Sequence, residues 1–393
     1  MAEAAQSSER AFGVYVHVPF CAVRCGYCDF NTYAPGELAG ASPEGYVEAA
    51  LAEMALARRV MTGDGRLAST VFLGGGTPTM LEPAALGRLL EGVRDTWGLA
   101  PGAEVTTEAN PDSVDGATLA ALAGAGFTRV SLGMQSAVPH VLRTLDRTHR
   151  PENVERAVAG AKAAGLATSL DLIYGTPGES LDDWRASVDA AVALAPDHLS
   201  AYALVIEPGT KMGAGLRRGD IAPVDPDVQA EMYEAGDDAF AAAGYAWYEV
   251  SNWARTPDEA CRHNVGYWRG QDWWGIGPGA HSYLEAPGRA ARRWWNVKHP
   301  RAYAERLGAG KSPEDAGEDL TDEQRYVERV MLGIRLAEGL PVGDLRPSGR
   351  GRLADLGRDG LIETAPAGRD EQVVLTRRGR LLADAVIREL AWA

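Results

Sequence analysis

Between Phe12 and Val250, short runs of β-branched and aromatic residues alternate with longer amphipathic stretches, and few folds accept that pattern. FGVYVHV (Phe12–Val18) reads as the first strand. STVFL, AEVTTEA, RVSL, ATSLDLIYG and HLSAYAL follow in order, each ending near Gly or an unusual polar residue. Helical patterns separate them. Val47, Leu51, Met54 and Ala57 share one face; Pro83–Trp97 and Gly116–Ala123 follow. Pro151 restarts a helical run within 138–164, and Leu181, Trp184, Val188, Ala191 and Ala195 mark another face. Val228, Met232, Ala235 and Ala239 mark one more, and YAWYEV is a further strand candidate. Six strand–helix units in series predict an α/β fold with a parallel sheet and right-handed crossovers. The expected architecture is an incomplete (β/α)6 barrel whose site lies at the carboxyl ends of the strands.

The remaining chain divides the map. Residues 1–12 read as a disordered start, 13–250 as the partial barrel, 251–319 as an aromatic-rich connector and 320–393 as a separate small domain. That last segment begins with a capping pattern, Thr321 and Gln324, and continues as helix, helix, hairpin, helix. The order resembles a winged helix. From 321 onward there are 12 Arg, no Lys and 12 Asp plus Glu, so a packing or docking domain fits better than a DNA reader.

Over the whole chain 39 basic residues face 54 acidic ones, a net charge of −15, which disfavours nucleic acid as a partner. Four cysteines in 393 residues are no disulfide framework and fit a reducing compartment. No apolar run approaches the roughly 20 residues of a membrane span, and the polar start MAEAAQSSER lacks a signal-peptide core. A cytoplasmic protein is expected.

Cys21, Cys25 and Cys28 crowd into CAVRCGYCDF, directly after the first strand. Zinc sites close with a full set of protein ligands, usually as separated pairs. Three thiolates instead suit a [4Fe–4S] cube with one iron left open. An amino-carboxylate chelator can complete that iron, and S-adenosylmethionine carries one on its methionine part. The electron that breaks its sulfonium bond comes from the cluster, and the protein's task is orientation and exclusion of side reactions. Cys261 stands alone and reads as a bland thiol.

YVHVPFCAVRCGYCDF, FLGGGTPTML, TTEANP, RVSLGMQS, LDRTH and LDLIYGTPGES stand in an order that resembles the radical SAM coproporphyrinogen dehydrogenase family over nearly the whole chain. The resemblance implies a [4Fe–4S] cluster on the three cysteines and S-adenosylmethionine on the fourth site. It implies that Tyr15 touches the cofactor and that Gly75, Gly76 and Thr77 bring backbone to its amino group, where a Cβ would block approach. It implies that Glu108 bonds the ribose, and that Gln135, Arg147 and Asp171 match residues that hold a second S-adenosylmethionine. Buried hydrogen bonding within the barrel is the plainer account of the polar strand-end residues.

Two departures separate the chain from the dehydrogenase. Phe30 stands where the dehydrogenase has a further cysteine, and only about a dozen residues precede the first strand in place of a long arm. In addition, CRHNVGYWRG carries His263, Asn264, Tyr267 and Trp268, an H-N-x-x-Y-W pattern that resembles the radical SAM haem chaperones of the HemW type. That resemblance implies haem as cargo, with His263 and Trp268 against it. It also implies haem-accepting proteins as partners, membrane respiratory enzymes among them, an electron donor, and contact with the membrane periphery during delivery. Imidazole ligates haem iron well, and an aromatic surface suits a flat macrocycle. Seven of the ten tryptophans fall between Trp247 and Trp295. The same residues also read as an aromatic plug that closes the open barrel, with His263 a satisfied core histidine. Two functions stay open at this point: a haem chaperone, and an enzyme that decarboxylates coproporphyrinogen propionates to vinyls.

Overall fold

The computed structural model describes residues 10–37, 42–285, 290–367 and 370–392. Most of the expected disordered start, residues 1–9, lies outside them. Arg10 to Phe12 correct that expectation. Arg10 pairs with Asp272 and Glu285, and Phe12 is a buried first strand residue.

The six predicted units are all present. They are β1 (Phe12–Val18), α1 (Pro43–Val60), β2 (Ala68–Gly75), α2 (Pro83–Trp97), β3 (Leu99–Ala109), α3 (Gly116–Ala125), β4 (Arg129–Gln135), α4 (Pro139–Thr144), α5 (Pro151–Ala163), β5 (Ala167–Tyr174), α6 (Leu181–Ala193) and β6 (His198–Ala203). The six strands lie side by side in chain order and run parallel. Local chemistry sets the helix starts. Ser42, Asp115 and Ser180 each cap one, and Pro opens α1, α2, α4 and α5, where no N–H is needed. Strand alternation then sorts the residues. Val14, Val16, Val71, Leu73 and Val130 are fully buried in the main core, which also takes Leu86, Leu89, Leu90 and Val93 of α2. The opposite residues, such as Thr70, Thr106, Glu108, Ser131, Asp171 and Ser200, are polar. A polar barrel interior is costly unless something polar fills it.

The aromatic-rich segment is not a connector. After α7 (Lys211–Arg218) and α8 (Pro226–Ala242), the chain forms β7 (Ala246–Glu249), β8 (Asn252–Ala254), α9 (Arg262–Trp268), β9 (Asp272–Ile276), β10 (His281–Leu284), β11 (Arg292–Asn296), α10 (Pro300–Gly308) and β12 (Glu314–Asp319). These strands extend one sheet of 12 in the order β12-β11-β10-β9-β1-β2-β3-β4-β5-β6-β8-β7. β9 pairs parallel with β1, and the outer strands run antiparallel. The expected boundary at residue 250 cuts the β7–β8 hairpin. Hairpins tie neighbouring strands locally, so the aromatic strands could join either edge of a sheet that was already parallel inside.

The C-terminal part contains α11 (Asp322–Gly333), β13 (Leu340–Pro341), α12 (Pro347–Arg358), β14 (Ile362–Ala367), β15 (Asp370–Leu375), α13 (Arg377–Leu381) and α14 (Ala383–Ala391). Its three-stranded sheet and helices enclose a separate core built on Val330, Ile334, Val373, Val386 and Leu390. Gly379 sits inside α13, where a Cβ would meet the Leu361 carbonyl at 1.8 Å. Many of the arginines are spent on ion pairs. Arg377 and Arg380 both reach Asp237 of α8 at 2.8 Å, and Arg380 lies over the Trp247 ring at 4.4 Å. The domain is thereby docked on the barrel.

Candidate functional site

The carboxyl ends of the parallel strands open into a cavity of about 520 Å³. Cys21, Cys25, Cys28, Tyr15, Gly75, Gly76, Thr77, Glu108, Gln135, Arg147 and Asp171 all line it. Residues spread over more than 150 positions therefore converge on one space, as expected of a barrel's strand ends.

The cysteine loop leaves β1 and is pinned at both ends. Cys21 N–H bonds the Tyr33 carbonyl at 3.0 Å, and Tyr33 N–H bonds Pro19 at 2.8 Å. All three thiols are free and half-buried. Burial pushes the Cys21 thiol up to about 11 and raises that of Cys28. Among the described residues no three His, Cys, Asp or Glu side chains converge on a point that could hold one metal ion. In a cube each thiolate takes its own iron, so the three sulfurs need not converge on one point. The donor set among the described residues, three thiols beside an open cavity, fits a cluster with one exchangeable iron.

The glycines at the end of β2 are also required by the protein's own packing. A Cβ on Gly76 would stand 2.5 Å from the Phe20 carbonyl and 3.0 Å from Cys21 Sγ. Gly75 has φ +109°, and its Cβ would meet the His17 ring at 2.5 Å. The protein's own loop, packed onto β2, forbids the side chains. Gly76 and Thr77 then donate N–H groups to Val18 and Phe20 at 2.8 and 2.7 Å, which locks the loop to the strand end.

Glu108 accepts from Gly75 N–H at 3.1 Å. Burial and the neighbouring Asp171 push its carboxyl up to about 8. Asp171, held by Ser131 at 2.8 Å, is also raised by burial. Gln135 has φ +61°, a strained position that a polar side chain at a ligand wall can repay. Arg147 spans Asn110 Oδ1 at 2.7 Å, the Gly133 carbonyl at 2.9 Å and Cys25 Sγ at 3.6 Å. Its Nε is buried without a partner. Arg147, Gln135 and Asp171 thus line the same cavity as the cysteines, and Arg147 puts a cation beside a cluster thiol. Asn110 escaped the sequence reading. It also donates to Thr77 at 3.2 Å, so it links the β2 end to Arg147. Its place in TTEANP, one step past a strand end, was the available signal.

His263 is held at both ring nitrogens. Its Nδ1 is shared with Thr70 Oγ1 at 2.8 Å and its Nε2 with Tyr267 Oη at 2.9 Å. Its ring stacks on Phe72 at 5.3 Å, and burial lowers its pKa to about 3. Both nitrogens are occupied, so no lone pair is left for iron. Glu104 of β3 accepts from the N–H groups of Arg262 and His263 at 3.0 and 3.1 Å, which satisfies the start of α9. Asn264 donates to Glu249 at 2.9 Å. His263, Asn264 and Tyr267 of the motif thus pack into the barrel and form part of the wall of the cofactor cavity. Cys261 is buried beside Glu104, and burial raises its thiol to about 12, as suits a bland thiol. Trp268 does not reach the cofactor cavity. It lines a second cleft, of about 840 Å³, together with Tyr15, Phe30 and Tyr267, which border both spaces.

The radical SAM superfamily profile matches residues 15–191. The heme chaperone HemW of Mycobacterium tuberculosis is 51% identical over 96% of this chain and 94% of its own length. The chain belongs to the HemW family of radical SAM proteins. Heme chaperone HemW of Escherichia coli is 38% identical over 84% of this chain and 83% of its own. Among solved structures, the radical SAM coproporphyrinogen III oxidase of Escherichia coli superposes with a TM-score of 0.80 at 24% identity, covering 96% of this chain and 89% of that one. That likeness establishes the fold: an open radical SAM barrel with a small C-terminal domain. Membership in the HemW family agrees with Phe30, which stands 58% exposed at the cavity mouth where the dehydrogenase pattern has a cysteine. Among the described residues no helix is long and apolar enough to cross a membrane.

Proposed function

We propose that this chain is a haem chaperone: it binds haem as cargo and hands it to haem-dependent proteins, on a scaffold that keeps a radical SAM cofactor site. The observation that carries this reading is the 51% identity, over nearly both full lengths, to a protein named heme chaperone. Cys21, Cys25 and Cys28 hold a [4Fe–4S] cluster in this reading. Gly75 to Thr77 present backbone, and Glu108 a carboxylate, to S-adenosylmethionine. Tyr15 and Asp171 close its sides. When bound, the pair supplies one-electron chemistry at a sulfonium. The chain's own residues orient the cofactor, exclude water and, through Arg147, place positive charge by the cluster. Partners are haem-accepting proteins and an electron donor.

One reconstituted sample decides between chaperone and dehydrogenase. Under anaerobic conditions, titration with haem should give a Soret shift that saturates near one haem per chain. The same protein given coproporphyrinogen, S-adenosylmethionine and a reductant should form no vinyl product. Turnover of coproporphyrinogen without haem uptake would overturn the proposal.

A further inference from the structure

The second cleft lies between two walls that the fold brings together. One wall is the face of the β9–β11 strands. Tyr283 pairs with Trp273 on one side and Arg293 on the other, while His281 pairs with Trp295. Side chains of directly paired residues share a face, so Trp273, Tyr283, Arg293 and His281 stand together. Trp273 and Tyr283 stack at 5.3 Å, and Tyr267 meets Trp273 edge-on at 4.7 Å. The other wall is α11, which offers Arg325, Glu328, Arg329 and Leu332 at helical spacing, followed by the segment from Leu336 to Pro341. The space, about 840 Å³, is larger than the cofactor cavity. Ligand pockets of about 300–1,000 Å³ take drug-sized molecules, and a flat macrocycle belongs at the upper end of that range.

Six Lys or Arg residues line the cleft; Arg10, Arg269, Arg293, Arg325 and Arg329 are held in ion pairs with Asp or Glu, which leaves Lys298 as the cation available to a ligand. Lys298 has no ion-pair partner among the described residues. An anionic ligand with an aromatic body matches such a lining.

Two histidines line the cleft. His17 is occupied at both nitrogens, by Tyr15 at 3.0 Å and the Asn31 carbonyl at 2.8 Å. His281 is exposed to the cleft, stacks on Trp295 at 5.6 Å and makes no side-chain hydrogen bond among the described residues. We propose that this cleft, to which the H-N-x-x-Y-W helix contributes Tyr267 and Trp268 but not His263, carries the iron tetrapyrrole, with the His281 imidazole as axial ligand and Lys298 facing a propionate. The proposal rests on the haem-carrying function proposed above and names its site. Partial burial and the cations Arg293 and Lys298 lower the His281 pKa, which keeps its imidazole neutral and able to ligate iron at neutral pH. One protein ligand on one face of the ring leaves the other face open for a recipient's ligand, as transfer requires.

The test is titration of the full chain, cluster reconstituted, with ferric haem and separately with metal-free protoporphyrin. Absence of any Soret change in the wild type would refute the haem-carrying function itself, and this site with it. If wild type binds, His281→Ala should lose the imidazole-ligated Soret band and bind haem at least tenfold more weakly. Added imidazole should restore the band. Metal-free protoporphyrin, which forms no axial bond, should quench tryptophan fluorescence equally in both proteins. His140→Ala, at an exposed histidine on α4, should titrate as wild type. A His281→Ala protein with the wild-type band and affinity would overturn the assignment. Equal loss of both porphyrins would also overturn it, because the histidine would then not be acting through the iron.

Discussion

Glu108 is a carboxyl group held where its charge is expensive. Its pKa rises from 4.5 to about 8, chiefly through burial and then through Asp171. The folded chain therefore keeps a proton, between those two values, that the unfolded chain has released. Stability should fall as pH rises through that window, on the order of a few kcal/mol before discount for water in the cavity. Glu108→Gln cannot titrate. In denaturant melts of the cofactor-free protein, the wild-type minus variant difference should shift against the wild type between pH 5 and pH 8. Above pH 8, where the wild-type carboxyl is ionised, the same variant should bind S-adenosylmethionine about tenfold or more weakly, the loss of a charge-assisted hydrogen bond. A pH-independent difference between the two proteins would contradict this account of the site. The residue types at the strand ends were legible in the sequence because short motifs carry them. What each neighbour does was not. The bar on a side chain at Gly75 comes from His17, some sixty positions away, and the bond from Arg147 to Cys25 crosses the barrel. Likewise, whether His263 had a free nitrogen depended on Thr70, which no spacing rule connects to it.

At the scale of elements, α9 shows how one motif supports two readings. Its aromatic residues and histidine were visible, and both a ligand and a plug were consistent with them. The partners on β2, β3 and β7 seat His263 and Asn264 in the barrel. Glu104 accepts from two N–H groups at the start of α9. Glu104→Ala should leave those donors unsatisfied and cost about 2–4 kcal/mol in reversible unfolding. Glu104→Gln, which keeps one acceptor oxygen, should cost about half as much. Wild-type stability in the Ala variant would show that α9 is held by packing alone. The parallel units were legible to within a few residues at their ends, because the strands are mostly buried and each helix is opened by Pro or a capping side chain. β9 to β12 were not. Their short aromatic stretches carry no alternation that says which edge they join, and only the pairing of β9 with β1 fixes it.

Over the whole molecule, two spaces meet at a thin wall of Tyr15, Phe30 and Tyr267. One is lined by three thiols and the polar strand ends, and the other by aromatic rings, cations and a histidine. The second space was beyond the reach of the sequence, since it forms only when the C-terminal domain docks through Arg377, Arg380 and Asp237. The central claim is that one chain holds a radical SAM cofactor and a haem at separate places. The most direct measurement is a haem titration of the anaerobically reconstituted wild-type protein, without and with saturating S-adenosylmethionine, whose occupancy is monitored by the EPR spectrum of the reduced cluster. Separate sites predict the same haem end point and an affinity unchanged within about twofold, while the cluster spectrum still shifts when the cofactor is added. Displacement of haem in proportion to S-adenosylmethionine concentration would contradict the account, because the two ligands would then be competing for the barrel cavity.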